Sequence, residues 1–273
     1  MLRDDLYDHM RSFQGLREAE LIYYGLDDEI LSQVLAFPRL QSLTGYINIE
    51  DGALSIPARC SMRSMLLETV LFPEATLRAL ISSCPELQSF GVTLKWLDLV
   101  SHHGSGMQWD DVVSTLDSHV DLLTHLKLDI ETPPEDAGPM EPIGHWSWPM
   151  SISTLRSFTR LSHLEIHQSA FLNLTEDGNP LRRPLADVLP PSLQVLRILC
   201  FDGGLLPQLD ALIATLPHSH PLLSRVEVKL GDFCQYDVTR SYPPHNLVRS
   251  AEEHLDRVYN DFRRLGIEFI ETA

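Results

Sequence analysis

Hydrophobic positions return along this chain in one short spacing: an apolar residue, two others, an apolar residue, one other, an apolar residue. Leu123, Leu126 and Leu128 show it in LLTHLKLDI, Leu161, Leu164 and Ile166 in TRLSHLEIH, and Leu193, Leu196 and Ile198 in PSLQVLRIL. Further units are Leu16, Ala19 and Leu21; Leu40 and Leu43 with Gly45 third; Met62, Met65 and Leu67; Leu87, Phe90 and Val92; and Leu223, Val226 and Val228. The last two anchors of a unit lie two residues apart, which is the strand period. They face one side of a strand, and the residues between them face the other. Between these strands the apolar spacing becomes helical. DDEILSQVLAF predicts a helix that buries Ile30, Leu31, Val34 and Leu35, capped by Asp27 or Asp28. PEATLRALISSC places Pro73 at a first helical position and buries Leu77, Leu80 and Ile81. Another helix starts at Asp110, and LPQLDALIATL supplies Leu209, Leu212, Ile213 and Leu216.

Strand followed by helix, repeated at 22–25 residues, is the signature of a leucine-rich repeat. The first anchors are 24, 22 and 25 residues apart, then 36, 38, 32 and 30, so the later units carry insertions. The expected fold is α/β: an irregular leucine-rich-repeat solenoid forming a right-handed arc. It has a parallel inner sheet of about eight strands and helices on the convex side, within one domain over 1–273. Leu126, Leu164 and Leu196 should lie almost fully buried in one stack. Leu247, Ala251, Leu255, Val258, Phe262 and Leu265 form one apolar stripe, and Gly266 then stops the helix before IEFI, a final strand. Residues 246–273 are therefore expected to cap the C-terminal end. No such cap precedes Leu16, which predicts an exposed first strand.

Charge and composition remove several function classes. With 38 acidic and 21 basic residues the net charge is −17, a sign that repels phosphate backbones, so no nucleic acid is expected as partner. No apolar run reaches the roughly 20 residues of a membrane span, and the charged start MLRDDLYDHMRSF lacks a signal peptide's apolar stretch. A cytoplasmic or nuclear location follows, with no membrane contact. Cys60, Cys84, Cys200 and Cys234 are widely spaced without a CxxC pair, which reads as buried thiols. The phosphate-loop, dinucleotide, HExxH and GxSxG patterns are absent, so no enzyme and no cofactor are expected. His102-His103 and His218-Ser219-His220 lack a ligand partner at metal spacing; they read as exposed loop histidines, with no metal.

The face opposite the anchors carries the candidate site. Its C-terminal half holds His125, Lys127 and Asp129, then His163, Glu165 and His167, then Val195 and Arg197, then Arg225, Glu227 and Lys229. The N-terminal half holds Glu18, Glu20, Ser42, Thr44, Ser64, Glu68, Ser89 and Thr93. Two readings stand side by side: a plain solvated surface, or a recognition surface for a protein partner, with both signs of charge at its C-terminal end. Long segments follow Thr93, Asp129, His167 and Lys229 and are expected on one rim. Trp96 and Trp109 lie in the first, Trp146 and Trp148 in the second; they are either partner anchors or rings that hold their own loops down. Reversing Arg197 and Arg225 is expected to leave folding intact, because surface charges contribute little.

FPRLQSLTG, ALISSCPELQSF, LLTHLKLDI, FTRLSHLEIH and LADVLPPSLQVLRI resemble the leucine-rich-repeat region of fungal F-box proteins, from about Leu16 to Leu230. That resemblance implies a protein-binding module of the kind that recognises substrates for ubiquitin ligases. The family's F-box, a short helical module that binds the adaptor of a cullin ligase, has no counterpart in Met1–Ala19. The expected function is a non-catalytic protein–protein interaction module acting through its inner face and rim loops. The alternative is the substrate-recognition half of an F-box-type receptor, working with ubiquitin-ligase machinery.

Overall fold

Alternation of anchors and intervening residues sets the architecture, because parallel strands stack like positions side by side. The computed structural model describes residues 15–21, 28–47, 54–69, 74–94, 109–130, 152–171, 173–174, 180–181, 184–201, 205–230 and 247–272. In chain order these form β1 (Glu18–Leu21), α1 (Asp28–Leu35), β2 (Ser42–Ile47), β3 (Ser64–Thr69), α2 (Glu74–Ser82), β4 (Ser89–Leu94) and α3 (Trp109–Thr115). There follow β5 (His125–Ile130), β6 (His163–His167), β7 (Asn173–Leu174), β8 (Pro180–Leu181), α4 (Leu185–Val188) and β9 (Val195–Phe201). The chain closes with α5 (Leu206–Ser219), β10 (Arg225–Leu230), α6 (Leu247–Arg264) and β11 (Glu268–Thr272). Short 3-10 turns, Asp117–His119 and Gln168–Phe171, follow α3 and β6.

Nine strands make one parallel sheet in the order β1-β2-β3-β4-β5-β6-β9-β10-β11, so each meets only the strands before and after it. The ninth is the IEFI strand, one more than the repeat pattern alone gives. β7 and β8 form a separate antiparallel pair. The expected register holds: Leu126 pairs Leu164, which pairs Leu196, at 2%, 1% and 0% exposure. The helices share a single core with these anchors, which leaves the intervening residues on the opposite face. Each strand also starts the same way. The Gln88 carbonyl accepts from the amides of Thr124 and His125, Thr124 from Ser162 and His163, and Ser162 from Gln194 and Val195. Gly45 is a third anchor for a steric reason: a Cβ there would lie 2.6 Å from Leu21 Cβ and 2.7 Å from Leu21 O.

The helices match their sequence patterns with local differences. α2 buries Leu77, Leu80 and Ile81, while Asp27 and Pro73 lie outside the described residues. α3 begins at Trp109 and breaks after Thr115 into the 3-10 turn. In α6, Val258 and Phe262 are fully buried, and the side chains of Leu247 and Ala251 lie outside the described residues. Leu265 departs from the expected stripe and is 42% exposed. The helix ends first: Gly266 takes φ +76°, its amide bonds Arg263 O, and Ile267 N bonds Phe262 O. That closing turn carries Ile267, in place of Leu265, into the core against Phe262. Asp210 of α5 holds α6 in place, accepting from His254 at 2.7 Å and Arg257 at 2.9 Å. No helix among the described residues is long and apolar enough to cross a membrane.

Candidate functional site

On the face away from the helices, parallel register turns sequence positions into rows. The second row runs Leu66, Gly91, Lys127, Glu165, Arg197, Glu227 across β3 to β10. Its charges alternate in sign, and neighbours pair. Lys127 Nζ lies 3.1 Å from Glu165 Oε1, Arg197 donates to Glu165 Oε2 at 3.0 Å, and Arg197 Nε lies 3.3 Å from Glu227 Oε2. Glu227 also pairs with Arg225, and Arg225 reaches Glu268 on β11 at 3.6 Å. Glu227 is 13% exposed at its side chain and Arg197 38%, so the ladder is partly desolvated yet open to a partner. Upstream it ends at Gly91 and Leu66. Leu66 Cδ1 occupies the space where a Cβ on Gly91 would stand, at 2.6 Å.

The first row holds Ser42, Ser64, Ser89, His125, His163, Val195 and Arg225. His125 and His163 stack with centroids 4.3 Å apart and planes 13° apart. Thr124 Oγ1 donates to Gln88 O at 3.0 Å, so its one proton is committed and it accepts from His125 Nδ1 at 2.9 Å. Ser162 donates to Thr124 O at 3.1 Å and accepts from His163 Nδ1 at 2.9 Å in the same way. The neutral rings therefore carry their proton on Nδ1 and keep Nε2 as an acceptor. Burial, and then the neighbouring His163, hold His125 below the ordinary histidine value.

The third row is less open than the sequence suggests. Asp129 accepts from Ile130 N at 2.8 Å and lies 3.6 Å from Lys127 Nζ. Burial raises its carboxyl above the usual range, against the opposing pull of Lys127 and His167. His167, expected on the open surface, is 6% exposed. β6 ends there and passes straight into the Gln168–Phe171 turn, so His167 does not stand on an open strand. Its row partner Leu199 is buried too. Beyond it β9 carries one extra residue: Val228 pairs Ile198, but Leu230 pairs Phe201, and Cys200 takes φ 53°. The bulge sets Lys229 apart from the ladder, exposed and in register with Thr272.

Trp109 is fully buried in the core, the packing alternative of the two, while Trp96, Trp146 and Trp148 lie outside the described residues. His220, read as an exposed loop histidine, is buried and joins two units, Nε2 to Leu189 O at 3.2 Å and Nδ1 to Ser219 Oγ at 2.8 Å. Its desolvation lowers its pKa, partly offset by the bond to Leu189. His119 does the same three units earlier, with Nε2 2.8 Å from Cys84 O. The signal for both was present: each follows a serine and precedes a first anchor, Leu123 or Leu223, by three or four residues. Cys60, Cys84 and Cys200 are buried and form no disulfide, and Cys234 lies outside the described residues. Among the described residues no group of three or more His, Cys, Asp or Glu is placed to hold a metal. What the face supplies is fixed charge, a histidine pair and hydroxyls. No protein-family model matches the chain, and no curated protein matches it.

Proposed function

We propose that the chain is an irregular leucine-rich-repeat solenoid that holds a protein partner on the face of its sheet opposite the helices, without catalysing a reaction. The observation that carries this reading is the cross-strand ladder from Lys127 to Glu268 beside the stacked His125–His163 pair. Side chains already held by their neighbours lose little freedom on binding, which lowers the ordering cost of association. A fixed alternation of sign selects partners by electrostatic match and register more than by raw affinity. Because the ladder is internally paired, the partner gains most from the first row, where the histidines, Val195 and the serines stand beside the ladder on the same open face.

The test is to isolate the partner with the full chain and titrate three proteins against it: wild type, Val195→Arg on the open face and Ala75→Arg on the exposed side of α2. Loss of affinity in Val195→Arg alone supports the reading; equal affinity in all three overturns it. If the isolated partner arrives with a cullin adaptor, the reading extends to substrate recognition in ubiquitination, as the resemblance to F-box proteins implies.

A further inference from the structure

Cys60 and Cys84 stand at matching places in successive units, two residues before the anchor Met62 and three before Leu87. The Cys60 amide donates to Ser83 O at 2.6 Å, which sets the two backbones side by side. The Ser83 hydroxyl lies 3.4 Å from Cys60 Sγ and 3.6 Å from Cys84 Sγ, bridging the two sulfurs. Both thiols are buried and free. The Cys84 thiol donates to Leu80 O at 3.2 Å, and the Cys60 thiol to Leu35 O at 3.7 Å. Interaction with the neighbouring Cys84 thiol, and then with the Ser83 hydroxyl, holds the Cys60 pKa down against burial. Cys84 is pushed up, because ionising it forfeits the interaction with Cys60 and places charge in a buried site.

We propose that Cys60 and Cys84 are a reversible disulfide site, with a small hydroperoxide as the oxidant and Cys60 as the attacking sulfur. The Cys60 thiolate attacks the terminal peroxide oxygen; the O–O bond breaks, the other oxygen leaves as hydroxide (from hydrogen peroxide) or alkoxide (from an organic hydroperoxide), and Cys60 becomes a sulfenic acid. Cys84 sulfur then attacks the Cys60 sulfur; the S–O bond breaks, an S–S bond forms, and the hydroxide leaves as water with the Cys84 proton. The peroxide is reduced by two electrons and the two thiols are oxidised by two. Access comes from the strap before β3, residues 54–63, which forms neither helix nor strand. Side-chain bonds such as Ser55 N to Ser32 Oγ and Ser61 Oγ to Pro38 O hold it, and a strap of this kind opens more readily than the sheet behind it. The bond would fasten the strap to the end of α2, joining two successive units covalently.

The test treats the full chain with hydrogen peroxide, alkylates the remaining thiols and maps peptides without reduction. The expected result is a Cys60–Cys84 cross-link that dithiothreitol reverses, with a higher melting temperature in the oxidised form. In Cys84→Ser, a sulfenic acid should accumulate at Cys60 and be trapped by dimedone; in Cys60→Ser, Cys84 should stay reduced. Two reduced thiols after exhaustive treatment, or links from these cysteines only to Cys200 or Cys234, overturn the proposal. If a serine variant fails to fold, the wild-type map decides alone.

Discussion

Leu164 and Glu165 are adjacent in sequence and face opposite sides of β6, so replacing each by alanine separates core from open face. Leu164 is 1% exposed and sits between Leu126 and Leu196 in the anchor row. Truncation to Ala removes buried carbon worth about 0.8 kcal/mol per group, or roughly 2–3 kcal/mol of transfer free energy. A cavity term adds to this, because strands bonded on both sides of β6 resist collapse around the gap, which gives about 3–5 kcal/mol in total. Glu165→Ala loses its contacts to Lys127 and Arg197, whose side chains are a third or more exposed. Solvent screening limits that loss to about 0.5–2 kcal/mol. Urea unfolding followed by far-ultraviolet circular dichroism measures both. A cost below about 1 kcal/mol for Leu164→Ala, or a larger cost for Glu165→Ala than for Leu164→Ala, refutes the assignment of faces.

Reversing Arg197 and Arg225 together should destabilise the fold by roughly 1–3 kcal/mol, because paired carboxylates on Glu165, Glu227 and Glu268 would then face like charges. The loss should shrink in high salt, and an unchanged urea midpoint at low salt would contradict the ladder. Gly266→Ala should cost about 1–2 kcal/mol, since φ +76° is strained for a residue with a Cβ; an unaltered melting temperature would argue against the closing turn. His125 and His220 have lowered folded pKa values, so below the ordinary value of about 6.5 the unfolded chain binds protons that the folded chain refuses. Stability should therefore fall as pH drops below about 6.5 towards their folded values, and His220→Gln should flatten that fall in a melting series. A slope identical to wild type would place the proton-linked group elsewhere.

The strand anchors were legible because their spacing states the period directly. Met62 to Leu67 and Leu193 to Ile198 fall in the core as the pattern requires. The rows followed from the same alternation, and His125, Lys127, Glu165, Arg197 and Glu227 do share one face. The pairing among them was harder to read, since it depends on which strands are neighbours and in what register. Lys127, Glu165, Arg197 and Glu227 are far apart in sequence and meet only because each strand begins on the same carbonyl pattern as the last. That pairing also ties Arg197 and Arg225 to carboxylates of their own and neighbouring strands. The bulge at Cys200 carries no local signal, because LRILCF offers neither glycine nor asparagine where φ turns positive. Leu265 fitted the helical stripe and Gly266 was legible as the stop, but the stripe does not reveal that the closing turn already takes in Leu265 and leaves it exposed. Trp109 sat next to a loop-like segment, and only the packing of neighbouring units buries it.

Photo-crosslinking from two positions tests the binding face most directly. A photoreactive residue replaces Val195, in the first row between His163 and Arg225, or Ala75, on the solvent side of α2. Each protein is irradiated in complex with the isolated partner, and the adduct is quantified by mass spectrometry. Binding through the open face predicts a discrete adduct from position 195 and none from position 75; an adduct from position 75 alone contradicts it.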